Sequence, residues 1–122
     1  LGEGRIVEDE PDHVRIECPA LGATVFVDHG IAAPPTADVS VAIRPEKIHI
    51  ARERPEQAEN VVSGVIKEIA YLGDVSRYLV RLDTGTVVRA TQPNVYRHED
   101  RLAWDERVWL HWHPSSIVVV TQ

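Results

Sequence analysis

The sequence predicts an all-β protein, a small barrel or sandwich made from two tandem copies of one unit. Three observations carry this. Apolar residues alternate with polar ones over short stretches such as His13-Val-Arg-Ile-Glu-Cys18, the period of a strand with one buried face. Gly, Pro and Asp punctuate the chain at short intervals, and no long stretch has an apolar stripe of helical period. Finally, a strand, a proline break and a second short strand occur twice.

The repeated pattern is Val39-Ser-Val-Ala-Ile-Arg-Pro-Glu-Lys-Ile-His-Ile50 and, 69 residues later, Val108-Trp-Leu-His-Trp-His-Pro-Ser-Ser-Ile-Val-Val119. Val39, Val41, Ile43, Pro45, Ile48 and Ile50 fall on Val108, Leu110, Trp112, Pro114, Ile117 and Val119. Earlier in the chain, Gly4-Arg-Ile-Val-Glu8 is mirrored by Gly64-Val-Ile-Lys-Glu68, an offset of 60. The nine additional residues fit in loops and turns, where insertions are tolerated.

Taken in order, Arg5 to Glu8 is a short strand. The alternating stretch from His13 follows a turn at Pro11-Asp12, and Ala23-Thr-Val-Phe-Val27 is the next strand, entered through Leu21-Gly22. Residues 28–38 contain Gly30, Pro34 and Pro35 and form a loop before the strand from Val39. Pro45 has no N–H for a sheet ladder and restricts Arg44 to extended conformations. Glu46 and Lys47 then make one tight turn before Ile48 to Ile50. Ala51-Arg-Glu-Arg-Pro-Glu-Gln-Ala-Glu-Asn60 is polar throughout and reads as the linker. Val61 to Leu72 opens the second unit, and Gly73-Asp74 turns the chain. Arg77-Tyr-Leu-Val-Arg-Leu82 and Thr86-Val-Val-Arg-Ala-Thr91 flank a hairpin turn in which Gly85 takes positive φ. Leu79-Val-Arg-Leu82 echoes Val14-Arg-Ile16. Residues 92–106 are the second long loop, with a helical turn around 94–97.

Each unit supplies about five short strands, which suits an OB-like barrel. The expected organisation is a first OB-like repeat over 1–52, a linker over 53–60 and a second repeat over 61–122. A unit of about 60 residues buries too little surface to be secure alone, so the two should pack together. Pro45 and Pro114 each precede a short final strand, so exchange of end strands between the units is an option.

Composition narrows the function. The net charge of −6 argues against a nucleic-acid backbone as partner, as does the scarcity of aromatic residues for base stacking, with Phe26 the only phenylalanine. No apolar run approaches the roughly 20 residues of a membrane span. The single Cys18 excludes an internal disulfide and fits a reducing compartment. The lack of any Met suggests a piece of a longer chain. No Ser-His-Asp, paired-carboxylate or Cys-His constellation stands out, so no catalytic residue is expected.

The series Ile43-Arg-Pro-Glu-Lys-Ile48, Gly64-Val-Ile, Tyr71-Leu-Gly73, Asp83-Thr-Gly85 and Val108-Trp-Leu-His-Trp-His-Pro resembles the TOBE (transport-associated OB) region that ends the ATP-binding subunits of ABC importers. The polyamine group, for spermidine and putrescine, is the nearest in look. The resemblance runs over essentially the whole chain. It implies a regulatory and dimerisation module, cytoplasmic and peripheral beneath a membrane permease. The implied partners are a second copy of the subunit, its own ATPase domain and, indirectly, the permease subunits. ATP and Mg belong to an ATPase domain, and this chain has no Gly-x-x-x-x-Gly-Lys-Ser/Thr phosphate loop. No cofactor or metal is expected in the chain itself. A small-ligand module of the same architecture, sensing the solute or an oxyanion, is the alternative.

Candidate interface residues are Arg44, Pro45, Glu46, Tyr71 and Gly73. Arg44 and Glu46 meet a partner, or the triplet only shapes the strand-to-turn geometry; Pro114 repeats the break without them. Tyr71 and Gly73 mark a contact surface, or Tyr71 and Leu72 pack while Gly73 turns. The candidate ligand or partner surface is Trp104, Asp105, Trp109 and His111. Trp109, His111 and His113 share the outer face of a strand whose inner face carries Val108, Leu110 and Trp112. The two histidines have the spacing of zinc ligands, but no Cys or Glu stands near them in sequence. Trp109 stacks on a ligand, marks an interface or is covered by the 92–106 loop. Asp100, Asp105 and Glu106, close to Trp104 and Trp109, have the chemistry for a polyamine and equally that of a solvated loop.

Overall fold

Period-two patterning becomes strand over most of the described residues. A computed structural model describes residues 2–28, 38–56, 58–93 and 102–121. The described residues form ten strands: β1 (Gly2–Glu10), β2 (His13–Cys18), β3 (Ala23–Val27), β4 (Asp38–Ile43), β5 (His49–Ala51), β6 (Asn60–Tyr71), β7 (Val75–Leu82), β8 (Val87–Pro93), β9 (Arg107–Trp112) and β10 (Ile117–Thr121). Single 3-10 turns at Pro45–Lys47 and Pro114–Ser116 precede β5 and β10. The helical turn expected around 94–97 and most of the loop expected over 28–38 lie outside the described residues, as does Asp100.

Two five-stranded antiparallel sheets result, with orders β10-β4-β1-β2-β3 and β5-β9-β6-β7-β8. Each curls into an OB-like half-barrel. The end strands are exchanged: β5, from the first unit, pairs with β9, and β10, from the end of the chain, pairs with β4. The cause is local. Arg44 and His113 are both extended (φ −65°, ψ 137° and φ −73°, ψ 143°), as a residue before proline must be. The proline then starts a 3-10 turn that redirects the chain into the other sheet.

The duplication is also visible in the pairing. Gly4 lies opposite Val39 and Gly64 opposite Val108. Both first strands carry a bulge one pleat later, between Ile6 and Glu8 and between Ile66 and Glu68. A Cβ on Gly4 would sit 2.5 Å from a methyl of Ile16, and one on Gly64 would sit 2.6 Å from the Arg81 carbonyl oxygen. Glycine is required at both positions by this close approach, the usual circumstance of a tightly curled sheet. Beyond the bulges, the register equates Ile16 with Val80, since these face Ile6 and Ile66. The sequence echo had aligned Ile16 with Leu82, one pleat away; the hairpin from Glu68 to Leu79 is four residues longer than that from Glu8 to Arg15, which sets the offset at 64.

One apolar core runs through both sheets. It includes Ile16, Val25, Val27 and Val41 from the first and Ile66, Val80, Val88 and Leu110 from the second, all almost fully buried. Burying each such side chain contributes about 1.5–3 kcal/mol. Two polar contacts also join the halves. The Asn60 side chain, 2% exposed, accepts a hydrogen bond from the Phe26 N–H (2.8 Å) and donates one to the Phe26 carbonyl (2.9 Å). It thereby satisfies a stretch of the β3 edge as a further strand would. Thr84, in the β7–β8 turn closed by Gly85 (φ +93°), donates to the Ala20 carbonyl in the β2–β3 turn (2.6 Å).

Replacing Asn60 by Ala strips both partners from Phe26. The expected loss is about 2–3 kcal/mol, since part-buried polar groups are left unpaired, with a single cooperative urea transition that moves to lower denaturant. Asn60→Asp should be similarly costly, because a second acceptor would then face the Phe26 carbonyl.

Candidate functional site

The sequence candidates fall in separate places. Arg44 and Glu46 are exposed and Pro45 half-buried in the first 3-10 turn. That turn packs against β8, and Gln92 from β8 donates to the Ile48 carbonyl just beyond it. Tyr71 and Gly73 lie at the tip of the β6–β7 hairpin. Gly73 has φ +84°, and the Leu72 N–H donates to the Val75 carbonyl at 2.8 Å to close the tip. Tyr71 and Leu72 are about half exposed, at 56% and 49%, because β6 and β7 run on past the barrel wall. Packing of those two side chains into the core is therefore not what is found.

Trp104 and Asp105 form the turn that leads into β9. Asp105 takes φ 63°, its N–H donates to the Ile66 carbonyl (2.7 Å), and the Ile66 N–H donates to the Glu106 carbonyl (3.0 Å). The turn is thus clamped to the bulge of β6. The Asp105 carboxylate meets Lys67 at 3.0 Å and that of Glu106 meets Arg52 at 2.7 Å. Both carboxylates face protein cations. Trp104 is 68% exposed.

Trp109 and His111 lie further along β9 on its outer face, as the alternation implies. Trp109 is covered by the linker, with the Arg54 guanidinium 5.3 Å from the ring, a cation–π distance. His113 lines the same cleft as His111. Its Nδ1 accepts from the Ser115 N–H (3.1 Å) and so caps the second 3-10 turn. The groups that the sequence reading brought together as Trp104, Asp105, Trp109 and His111 are divided between the two ends of β9.

A cleft of about 480 Å³ lies where β3 of one sheet approaches β5, β6 and β9 of the other. Its walls include Phe26 and Asp28, His49, Glu59, His111 and Trp112. Phe26 is fixed by Asn60 on its backbone, by the His13 ring (centroids 5.5 Å) and by the Arg15 guanidinium (4.8 Å). His49 and His111 are directly opposed across β5 and β9, with ring centroids 5.3 Å apart. His49, Glu59 and Trp112 had not been singled out as site residues. The available signal was the repeat itself: Ala42, Ile43 and Val118 stand where His111, Trp112 and His49 do in the other copy. Among the described residues no three His, Cys, Asp or Glu are grouped to hold a metal ion. The Cys18 thiol is buried, with its pKa pushed up by desolvation, and donates to the Glu3 carbonyl (3.5 Å).

These features define a duplicated, strand-exchanged OB-type module with a cleft between its halves and exposed apolar residues at its turns. The family model for the TOBE domain matches residues 41–120, and the chain belongs to that family. It is 38% identical to the putrescine transport ATP-binding protein PotG of Escherichia coli over 98% of this chain and 32% of that protein. It is 30% identical to the spermidine/putrescine import ATP-binding protein PotA of Thermotoga maritima, over 98% of this chain and 33% of that protein. The chain thus spans about a third of the length of these relatives. Among solved structures, the cytoplasmic molybdate-binding protein ModG is similar with a TM-score of 0.83 at 10% identity, covering 99% of this chain and 94% of that one. At that identity the likeness is one of fold. No helix among the described residues is long and apolar enough to cross a membrane.

Two histidines give opposite pH signatures. Burial, and then the charge of His49, hold His111 below the ordinary 6.5. The unfolded chain therefore binds a proton first, and this contribution to stability is lost as pH falls below 6.5 through the folded value. A hydrogen bond to Asp12, opposed by desolvation and helped by the charges of Asp12 and Glu8, raises His13. Its contribution is full below 6.5 and is lost as pH rises through the folded value. Urea midpoints followed from about pH 5, above the carboxylate range, to pH 8 should show that His111→Gln flattens only the acid side and His13→Gln only the alkaline side.

Proposed function

We propose that the chain is the C-terminal regulatory and dimer-forming domain of the ATP-binding subunit of an ABC importer for putrescine and spermidine. The observation that supports this most is the identity to PotG, which extends over nearly the whole of this chain. In this reading ATP and Mg are bound and ATP hydrolysed by a separate ATPase domain of the same subunit. The module sits on the cytoplasmic side, held to the membrane through the permease. It couples two subunits through contact with its own copy.

The exposed Tyr71–Leu72 tip and the Arg44–Glu46 turn supply the contact surfaces in this reading. Tyr71 and Leu72 are apolar groups held half out of the barrel by backbone hydrogen bonds, at little cost to the core if changed. A second reading, a module that senses a small ligand, is favoured by the cleft between the half-barrels.

Sedimentation of the subunit with and without residues 1–122 tests the first reading. The expected result is a dimer whose association depends on this segment, with Tyr71→Ala and Leu72→Ser raising the dissociation constant about tenfold, roughly 1.4 kcal/mol, at unchanged thermal stability. A monomer at high concentration that fails to bind its ATPase domain would remove it.

A further inference from the structure

The internal duplication supplies a control for what the fold alone needs. In the first sheet Ala42 and Val118 are directly opposed across β4 and β10. At the same two positions of the second sheet, His111 and His49 are directly opposed across β9 and β5. An alanine and a valine are enough to build the strand pair. The copy that borders the cleft has exchanged both for imidazoles, on strands that come from different units of the chain.

Neither core packing nor hydrogen bonding accounts for the exchange. His49 is exposed and His111 half-buried, both outside the apolar core. Among the described residues neither ring has a hydrogen bond or an ion pair; each meets the ring of the other, with centroids 5.3 Å apart and planes inclined by 32°. A zinc-type ion sits about 2.0–2.1 Å from an imidazole nitrogen. It then stands about 3.2 Å from the ring centre, so two imidazoles on one tetrahedral ion have centroids about 5.2 Å apart. Directly opposed residues hold their Cβ atoms about 4.5–5.5 Å apart on the frame of the sheet. Small rotations of the two side chains suffice to aim one nitrogen of each ring at a common point.

His113 lines the same cleft, but its Nδ1 accepts from the Ser115 N–H at 3.1 Å. No three His, Cys, Asp or Glu are assembled for a metal among the described residues, so this site offers two ligands. Glu59 adds a carboxylate to the cleft wall, which favours a cation over an anion.

We propose that His49 and His111 hold a divalent transition-metal ion in the cleft, each through one imidazole nitrogen. Imidazole suits ions such as Zn²⁺, Ni²⁺ and Cu²⁺, whereas Mg²⁺ and Ca²⁺ take oxygen ligands. Two imidazoles fill half of a tetrahedral shell. The ion therefore keeps two positions for water, or for donor atoms of a small ligand in the space of about 480 Å³ beside it. The proposal does not rest on the importer reading, since it concerns the cleft and not the association of subunits.

Calorimetric titration of the 122-residue chain, free of any histidine tag, with Zn²⁺ and with Mg²⁺ at about pH 7.5, above the ordinary histidine range, tests it. Zn²⁺ should bind once per chain with a dissociation constant of about 10 µM or lower, and Mg²⁺ should give no heat. His111→Ala and His49→Val each install the residue of the other copy, so both should keep the fold, with unchanged urea midpoints at that pH. Each should weaken Zn²⁺ at least about tenfold. His113→Ala should leave the affinity unchanged. Co²⁺ should show the intense visible absorption of a tetrahedral ion, and either of the two weakening substitutions should abolish it. A Zn²⁺ dissociation constant above about 1 mM would overturn the proposal, as would an affinity unaltered in His111→Ala and His49→Val. Equal weakening by His113→Ala would overturn the assignment of the ligands, and heat from Mg²⁺ equal to that from Zn²⁺ would overturn it in favour of a site that reads charge alone.

Discussion

The proline that ends each duplicated strand is the constraint on which the molecule depends. Pro45 and Pro114 cannot continue a ladder, so the chain leaves its own sheet, makes one 3-10 turn and adds its last strand to the other. Each sheet therefore has one strand from the opposite unit. Neither half closes its core by itself, and the two units share one apolar interior. Asn60 reinforces this by filling the edge of β3 from the start of β6, and Thr84 ties the two hairpin turns together. The linker between the units is held as well, with Arg54 over Trp109 and Arg52 on Glu106.

Duplication separates what the fold needs from what it does not. Positions under geometric constraint are the same in both copies. Gly4 and Gly64 allow a backbone or methyl contact that no Cβ would permit, the bulge falls two residues later in each, and a proline starts each 3-10 turn. Other positions, outward and inward facing, have diverged. Alanine, isoleucine and valine in one copy are histidine, tryptophan and histidine in the other, and it is the second set that borders the cleft. The surface ion pairs, by contrast, add little to stability in water. Those of Asp105 and Glu106 serve to fix the turn before β9 and leave Trp104 projecting.

The exposed hairpin tip and the cleft lie on different parts of the molecule. The hairpin tip at Tyr71 and Leu72 is exposed where β6 continues past its bulge to Tyr71, and backbone hydrogen bonds close it. The cleft lies between the sheets, where β3 meets β6 and the second 3-10 turn.

The strands themselves were legible because alternation is a local property: Val14, Ile16 and Cys18 of β2 and Val108, Leu110 and Trp112 of β9 face inward at every second position. The proline breaks, the Gly85 turn and the duplication were legible for the same reason, since backbone sterics act within a few residues. Asn60 was not, because nothing adjacent in sequence shows that its amide meets Phe26, 34 residues away. The copy-to-copy register of β2 and β7 was missed because the β6–β7 hairpin is longer than the β1–β2 hairpin, and only the pairing shows by how much. The surroundings of Trp109, Asp105 and His111 were open in sequence for the same cause: their partners, Arg54, Lys67 and His49, arrive from other strands. The sequence by itself thus determined the all-β class, the repeated unit and its turns, through short-range sterics and periodicity. Tertiary structure alone decided which sheet each end strand joins, which charges are paired and where a cleft opens, because these depend on contacts between residues far apart in the chain.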